Sequence, residues 1–357
     1  MTLIVDAHED IAWNVMCYGR DYTQSAQATR ARDSEDTVAD AGSATLGLPE
    51  WLAGKVAVIF STVFTMPARS PYRDKLSKTY TTPEEAFSMG MRQIDIYRRL
   101  AGENKHFRLI TEQPDLDAVL DTWKEGQAER QIGLALLMEN GDPIRRPEEV
   151  LRWYEEGVRL IGPAWMASRY CGGTGEPGPL TDEGLRLLRL MQELNMILDT
   201  THMAEQAFFQ AVDTYGGPII ASHSNPRAYV DGDRHLSDEM IRALVLRDGV
   251  IGSVPFNSFL VRDWSRRRGD PKDAANISHV VRAIDRVCQI AGDALHAGLG
   301  TDFDGGFGAE STPAGIDTVA DLPKVASGLR EAGFSQADVE NVMGGNWLRA
   351  LRASLPG

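Results

Sequence analysis

The stretch LIVDAHED at residues 3–10 places a short apolar run directly before one histidine and two acidic residues. Short apolar runs rich in β-branched residues are typical of buried strands. Seven similar runs follow along the chain, with amphipathic helical patterns between them. The predicted strands are 3–8, 55–64, 132–139, 158–165, 197–202, 218–223, 250–256 and 296–302, and residues 107–110 form a shorter ninth candidate.

This alternation of strands and helices predicts a parallel sheet that is covered by helices. One helix is well marked by TDEGLRLLRLMQEL at 181–194, where Thr181 can cap the first turn. Eight strands within 357 residues favour an α/β fold of the (β/α)8 TIM-barrel type, with an open doubly wound sheet as the alternative. We therefore expect a single domain over residues 1–357.

Three polar stretches interrupt the alternation, at residues 20–50, 65–82 and 261–276. They are too long to be plain turns. Because long loops on a rigid scaffold often complete a functional site, we expect these polar insertions at the C-terminal face of the barrel.

The charge of the chain argues against some partners. With 51 acidic and 37 basic residues, its formal net charge is −14, so neither a nucleic acid nor an anionic membrane is expected as the main partner. No apolar run approaches the roughly 20 residues that a membrane-spanning helix needs, and no signal-peptide pattern is apparent. We expect a cytoplasmic protein that is not membrane-anchored.

Acidic and imidazole side chains occur where several predicted strands end. In a parallel barrel the carboxyl ends of all strands lie on one face, so these residues should converge in one pocket. Taken singly, a histidine at such a position is more often structural than a ligand, but the coincidence at five strand ends favours a functional site. The residues are His8, Asp10, Glu139, His202, His223 and Asp302.

This combination of side chains is typical of a metal site. Imidazoles and carboxylates suit Zn²⁺, and the alternate residues His8 and Asp10 of an extended segment point the same way. Glu139 has two oxygens and can bridge two ions that lie about 3.5–4 Å apart. A lone carboxylate directly after the apolar run 134–138 would be costly to bury without a cation.

The motifs together resemble a known family. DAHED, MENGDPI, GPLTDEGLRLLRLMQELNMILDTTH, IIASHSNPRAY, RHLSDEMIRAL and GLGTDFDGG are similar to motifs of the membrane (renal-type) dipeptidases, peptidase family M19 of the amidohydrolase superfamily. The resemblance extends to GGNWLRAL near the C-terminus. It implies a TIM barrel that binds two zinc ions and hydrolyses dipeptides, including those with a D-residue at the C-terminal position.

The resemblance also implies roles for the metal ligands. His8 and Asp10 match the ligands of the first zinc ion. His202 and His223 match the ligands of the second zinc ion, and Glu139 matches the carboxylate that bridges the two. A homodimer is also consistent with the resemblance.

Three further residues are assigned to catalysis or substrate binding by the same resemblance. Asp302 matches the catalytic acid/base that serves a metal-bridged hydroxide, and Arg234 matches the arginine that holds the substrate carboxylate. Trp165 stands where well-known members carry a histidine that contacts the substrate. An indole cannot ionise and donates a single hydrogen bond, so either Arg169 or another group takes over that role or the preferred substrate differs.

Two alternatives to a dipeptidase remain open at this point. One keeps the barrel and the metals but acts on another amide or on a lactone, because one fold supports many reactions. The other is a catalytically silent metal-binding protein, although a proton shuttle such as Asp302 has no evident purpose there.

Overall fold

Eight parallel strands, β1 to β8, form a closed barrel in the computed structural model, which describes residues 2–357. Each strand pairs with its neighbours in chain order, and β8 returns to pair with β1. This arrangement confirms the predicted (β/α)8 TIM barrel. The strands are β1 Ile4–Glu9, β2 Val56–Phe64, β3 Ile132–Glu139, β4 Val158–Gly162, β5 Ile197–Asp199, β6 Ile219–Ala221, β7 Val250–Ser253 and β8 Ala297–Leu299.

The strands form because their residues can be buried on both faces of the sheet. Every residue of β2 and of β3 is buried, as expected for parallel strands that read as continuous apolar runs. Their register runs from Val58 opposite Gly133 to Phe64 opposite Glu139. The register therefore sets Phe64 beside Glu139 at the C-terminal face.

The helices cover the barrel between successive strands. The helix predicted from Thr181 is confirmed, because the Thr181 hydroxyl accepts a hydrogen bond from the backbone N–H of Gly184. The helices are Ile11–Tyr18, Ala26–Arg30, Glu35–Ala41, Leu48–Gly54, Pro83–Glu103, Gln113–Asp121, Val150–Glu155, Asp182–Glu193, Glu205–Thr214, Asp238–Leu246, Asn257–Leu260, Ile277–Ala291, Pro323–Glu331, Gln336–Glu340 and Asn346–Ser354. Among the described residues, none of these helices is long and apolar enough to cross a membrane.

Five predicted strands extended too far at their C-terminal ends, namely 158–165, 197–202, 218–223, 250–256 and 296–302. The backbone leaves the strand conformation two or three residues before several site residues. His202 and Asp302 have φ angles of 67° and 57°, which lie in the left-handed region and are incompatible with a strand. The site residues after β5, β6 and β8 therefore lie in loops.

The ninth candidate, residues 107–110, is a strand but does not belong to the barrel. Phe107–Leu109 pairs with the first residues of β3, whereas β4 pairs with the last residues of that strand. The short segment therefore lies at an edge, outside the closed ring.

The three polar insertions lie at the C-terminal face, as predicted. The first, residues 20–50, contains two short helices and is joined to the loop after β8 by a buried ion pair between Arg20 and Asp304, with Nη1 and Oδ2 3.1 Å apart. The other two insertions, residues 65–82 and 261–276, contribute side chains to the cavity described below. The insertions thus surround the mouth of the barrel.

Candidate metal centre

The side chains predicted at the strand ends converge around Glu139, the last residue of β3. The Oε2 atom of Glu139 lies 3.4 Å from Nε2 of His8. Its Oε1 atom lies 3.1 Å from Nε2 of His202 and 3.4 Å from Nε2 of His223. The two oxygens of one buried carboxylate therefore face two different sets of ligand atoms.

The first set, which we call the His8 side, combines one imidazole with two further carboxylates. His8 Nε2 lies 3.9 Å from Oδ2 of Asp10 and 3.9 Å from Oδ1 of Asp302. The Thr62 hydroxyl donates a hydrogen bond to the other oxygen of Asp10 and thereby orients it. The His8 side thus presents mostly anionic oxygen atoms.

The Nε2 atom of His8 provides a test of whether a metal ion fits here. It is buried and has no hydrogen-bond partner among the described residues. Buried polar atoms in proteins are almost always satisfied, so an unsatisfied ring nitrogen surrounded by carboxylates calls for a ligand. A divalent cation meets this need, and these nitrogen and oxygen donors are those that Zn²⁺ accepts.

The second set, the His202 side, consists of two imidazoles whose Nε2 atoms lie 3.3 Å apart. The Nδ1 atom of His202 lies 2.9 Å from the Thr174 hydroxyl, and Nδ1 of His223 lies 2.8 Å from the Ser222 hydroxyl. Ser222 donates in turn to the carboxylate of Asp199. These outer hydrogen bonds direct both Nε2 atoms toward Glu139, as is usual around histidines that bind metals.

Sequence reasoning did not identify Thr174, Ser222 or Asp199. Two signals were available, since Ser222 directly precedes His223 and Asp199 is an acidic residue within the buried stretch ILDTTH. No signal pointed to Thr174, because it belongs to a loop that is distant from His202 in the sequence.

The His8 side is dominated by negative charge. Burial lowers the pKa of His8, but the carboxylates of Glu139, Asp10 and Asp302 outweigh burial and raise that pKa to about 10. Burial, together with the charges of Asp10 and Glu139, raises the pKa of Asp302 well above its usual range, although His8 opposes this. A cation is therefore strongly favoured among these groups.

The His202 side behaves in the opposite way. Burial, aided by the positive charge of Arg234, lowers the pKa of His202 to about 4. Burial and the charges of His8 and Arg234 also hold the pKa of His223 well below its usual range. Both imidazoles are therefore neutral near pH 7, which is the form that binds a metal ion.

A cavity of about 470 Å³ opens above these residues at the C-terminal face of the barrel. His8 and His223 are buried directly beneath it. The other six residues predicted for the site line its walls. They are Asp10, Glu139, His202, Asp302, Arg234 and Trp165.

Arg234 is held at the cavity wall by its own loop. Its Nη2 donates to the carbonyl oxygen of His223 at 2.8 Å, and its Nη1 donates to the Ser224 hydroxyl at 3.3 Å. The guanidinium carbon lies 5.1 Å from the ring centre of Phe259. Among the described residues, two of the five N–H donors of Arg234 are thus used within the protein, and the side chain lines the cavity.

Trp165 and Arg169 are separated in the structure. The Trp165 ring centre lies 6.3 Å from that of His202. Arg169 instead donates to the carbonyl oxygen of Arg145 and lies near the Asp142 carboxylate, and it is not among the residues that line the cavity. Of the two, only Trp165 is positioned to contact a ligand in this cavity.

The sequence profile of the membrane dipeptidases, peptidase family M19, matches residues 1–355. The chain belongs to this family. The resemblance drawn from the motifs is therefore confirmed over almost the whole length. Members of this family are metallo-dipeptidases, so the chain is a metal-dependent hydrolase of peptide bonds.

Two relatives are similar to this chain in sequence. A protein of Klebsiella pneumoniae named "Uncharacterized protein in pqqA 5'region" is 35% identical over 209 residues, which are 56% of this chain and 73% of that protein. An uncharacterized dipeptidase of Schizosaccharomyces pombe is 27% identical over 359 residues, which are 98% of this chain and 80% of that protein.

One solved structure has the same fold. It is a metallo peptidase of Rhodobacter sphaeroides, liganded with a phosphinate mimic of the dipeptide L-Ala-D-Ala. It superposes with a TM-score of 0.77 at 20% sequence identity and covers 99% of each chain. At this identity the similarity establishes a common fold.

Proposed function

We propose that this M19 dipeptidase uses two zinc ions that are bridged by Glu139. The observation that carries the proposal is that the two oxygens of Glu139 face different histidines. Oε2 lies near His8, and Oε1 lies near His202 and His223. In this proposal His8 and Asp10 bind the first ion. His202 and His223 bind the second ion through neutral imidazoles.

When bound, such ions lower the pKa of water and polarise a carbonyl oxygen, which provides a nucleophile near neutral pH. Asp302 acts as the general acid/base. Its carboxylate lines the cavity and has an oxygen 3.9 Å from His8 Nε2. It accepts a proton from the attacking water and delivers a proton to the leaving amine. Its left-handed backbone conformation at φ 57° supports this role, because such conformations are frequent at functional sites.

Arg234 binds the free C-terminal carboxylate of the substrate. The N–H donors that are not used within the protein can bind a carboxylate in a bidentate manner. A clamp close to the reacting groups limits the length of peptide that fits between them. Arg234 thus supports a preference for dipeptides.

The proposed substrates include dipeptides of the L-Xaa-D-Xaa type. The support for this step is the Rhodobacter sphaeroides metallo peptidase of the same fold, which is liganded with a mimic of L-Ala-D-Ala. The organisation as one hydrolase domain over residues 1–357 is part of the proposal. A homodimer stays a prediction.

The decisive experiment measures hydrolysis of L-L and L-D dipeptides by purified protein, first loaded with zinc and then stripped by a chelator. N-acetylated and C-amidated dipeptides serve as controls. We expect about two zinc ions per chain and cleavage that depends on them and on a free carboxylate. Cleavage that persists after complete zinc removal, or that is equal for amidated substrates, contradicts the proposal.

A different amide or a lactone is the second candidate substrate. Trp165 favours this alternative, because it replaces an ionisable group by an indole at the cavity wall. A protein that holds two zinc ions but cleaves no dipeptide, and that opens lactones instead, would establish it. A catalytically silent protein is disfavoured by Asp302 and Arg234, which a merely metal-binding protein does not need.

A further inference from the structure

Four aromatic side chains form a continuous surface along one wall of the cavity, and we call them the aromatic row. The ring centres of Trp13 and Phe64 are 4.9 Å apart, those of Phe64 and Trp165 are 5.0 Å apart, and those of Trp165 and Tyr72 are 5.9 Å apart. Each pair meets edge to face, the arrangement that aromatic rings prefer. All four residues line the cavity.

The aromatic row becomes more exposed from its base to its outer end. Trp13 and Phe64 are each only 5% exposed, Trp165 is half-buried, and Tyr72 is 57% exposed. The buried pair therefore acts as a support, and Trp165 and Tyr72 present their rings to the cavity.

Tyr72 is unusual among exposed apolar side chains. The described residues include four large apolar side chains that are exposed, and Tyr72 alone of these lines the cavity. An exposed ring that continues a buried aromatic cluster into a cavity is typical of a binding surface. Leu246, which is 85% exposed and does not line the cavity, is a useful contrast.

Phe64, one member of the aromatic row, lies across the barrel mouth from the strand that leads to Arg234. Phe64 ends β2 and is paired with Glu139, whereas Arg234 follows β6. In a ring of eight strands, β2 and β6 are diametrically opposite. One residue of an extended peptide spans about 3.3–3.6 Å. A dipeptide whose carboxylate is at Arg234 and whose scissile carbonyl is beside the proposed metal ligands can therefore extend its N-terminal residue toward Phe64 and the row.

The chemistry of this wall suits an apolar side chain. Met66 and Met166 also line the cavity near the aromatic row. The nearby Arg69 is paired with Glu176, with Nη2 and Oε2 2.8 Å apart. Two charged side chains, Asp74 and Arg267, also line the cavity, and we call them the charged rim.

We propose that the aromatic row is the subsite for the side chain of the substrate's N-terminal residue, and that it selects aromatic and large aliphatic side chains there. This inference rests on the proposed dipeptidase function. Trp165 and Tyr72 are specificity-determining residues that contact the substrate side chain.

The first test compares the zinc-loaded enzyme on Phe-Ala, Leu-Ala, Ala-Ala, Glu-Ala and Lys-Ala. We expect kcat/KM for Phe-Ala to exceed that for Ala-Ala by about 10-fold or more, the discrimination that a hydrophobic pocket provides. Equal values for these two substrates overturn the subsite. A preference for Glu-Ala or Lys-Ala also overturns it, because selection then lies with the charged rim.

The second test uses variants. Tyr72→Ala removes an exposed ring, so the fold is not at risk, and Trp165→Ala removes the central one. Both variants should lower the ratio of kcat/KM for Phe-Ala over Ala-Ala, mainly by raising KM for Phe-Ala. Trp165→Phe, which keeps an aromatic ring, should have a higher ratio than Trp165→Ala. The control Leu246→Ala should leave the ratio unchanged.

Two outcomes separate this inference from the proposed function. In the first outcome, Ala-Ala is cleaved but Tyr72→Ala leaves the ratio of kcat/KM for Phe-Ala over Ala-Ala unchanged, or changes kcat/KM for Ala-Phe instead. The assignment of the aromatic row is then wrong, whereas the dipeptidase function is supported. If the zinc-loaded enzyme cleaves no dipeptide of the panel, the proposed function fails and the subsite fails with it.

Discussion

The His8 side and the His202 side of the site share Glu139, yet they are built from different chemistry. On the His8 side, Asp10 and Asp302 accompany the histidine, and its pKa is raised to about 10. On the other side two imidazoles are accompanied by hydroxyl groups, and the pKa of His202 is lowered to about 4. Burial is similar on both sides, so the difference comes from the neighbouring charges.

This difference indicates what each side needs in order to bind a cation. The His8 side depends on the negative charge of its carboxylates. The His202 side depends on the orientation of neutral rings by Thr174 and Ser222. Removing a carboxylate that is a proposed metal ligand should therefore weaken cation binding more than removing a hydroxyl group.

The largest effect is expected for Glu139→Gln, because Glu139 is the proposed ligand of both ions. The variant loses the charge that faces both sets of ligands. We expect loss of most bound zinc and a fall in turnover of about 10³-fold or more, since the ions stabilise several kcal/mol of charge in the transition state. Zinc analysis and steady-state kinetics measure this. Glu193→Gln on the surface is the matched control, and two tightly held zinc ions in Glu139→Gln would refute the bridging assignment.

Asp302→Asn tests whether the carboxylates of the His8 side have separate roles. The amide keeps the shape of the side chain but cannot accept a proton as a carboxylate does. We expect zinc content close to that of the unmodified enzyme and a fall in kcat of about 10²–10⁴-fold. Near-native turnover would remove Asp302 from the acid/base role.

Arg234→Ala probes a residue that belongs to neither side. A charge-assisted hydrogen bond contributes about 1.5–3 kcal/mol, so kcat/KM for dipeptides with a free carboxylate should fall by about 10–100-fold, mainly through KM. The much slower reaction of C-amidated analogues should change little. Equal losses for both kinds of substrate would contradict the carboxylate clamp.

Ser222→Ala and Thr174→Val compare the outer hydrogen bonds of the His202 side. Such bonds typically contribute 10–100-fold to metal affinity. Ser222 lies 2.8 Å from His223 Nδ1 and 3.5 Å from His8 Nδ1, so its loss should weaken zinc binding on both sides. Thr174 contacts His202 alone among these histidines, so its loss should weaken one of the two ions. Zinc titration against a chelating dye shows whether one or both zinc ions are bound more weakly. Identical zinc affinities in the two variants would contradict the different roles of Ser222 and Thr174.

The smallest effect concerns His235, which is buried without a carboxylate partner. Burial and the charges of Arg234 and Arg227 lower its pKa to about 3. In the unfolded chain its pKa lies near 6.5, so the unfolded state binds more protons between these values. Its contribution to stability is therefore lost as the pH falls from about 6.5 toward 3. His235→Asn should make the free energy of unfolding less sensitive to pH. Urea unfolding midpoints at pH 7 and pH 5 measure this sensitivity. The same difference between the two midpoints in the variant and the unmodified protein would contradict the prediction.

The fold was predictable because each barrel strand is a buried apolar run that is bounded by polar residues. The ends of the strands were less predictable, since β-branched and apolar residues continue past them, as in ILDTTH. The backbone is left-handed at His202 and Asp302, and the pattern of hydrophobic residues does not predict this conformation.

The barrel and the residues at its mouth, including His8, Glu139 and Asp302, follow from the pattern of apolar runs alone, because closing a parallel sheet brings every strand end to one face. Which Glu139 oxygen faces which histidine depends on the three-dimensional arrangement. It alone brought Trp13, Phe64, Trp165 and Tyr72 into one row. These contacts join residues that are far apart in the chain, so they depend on strand register and loop dihedral angles, which no local pattern encodes.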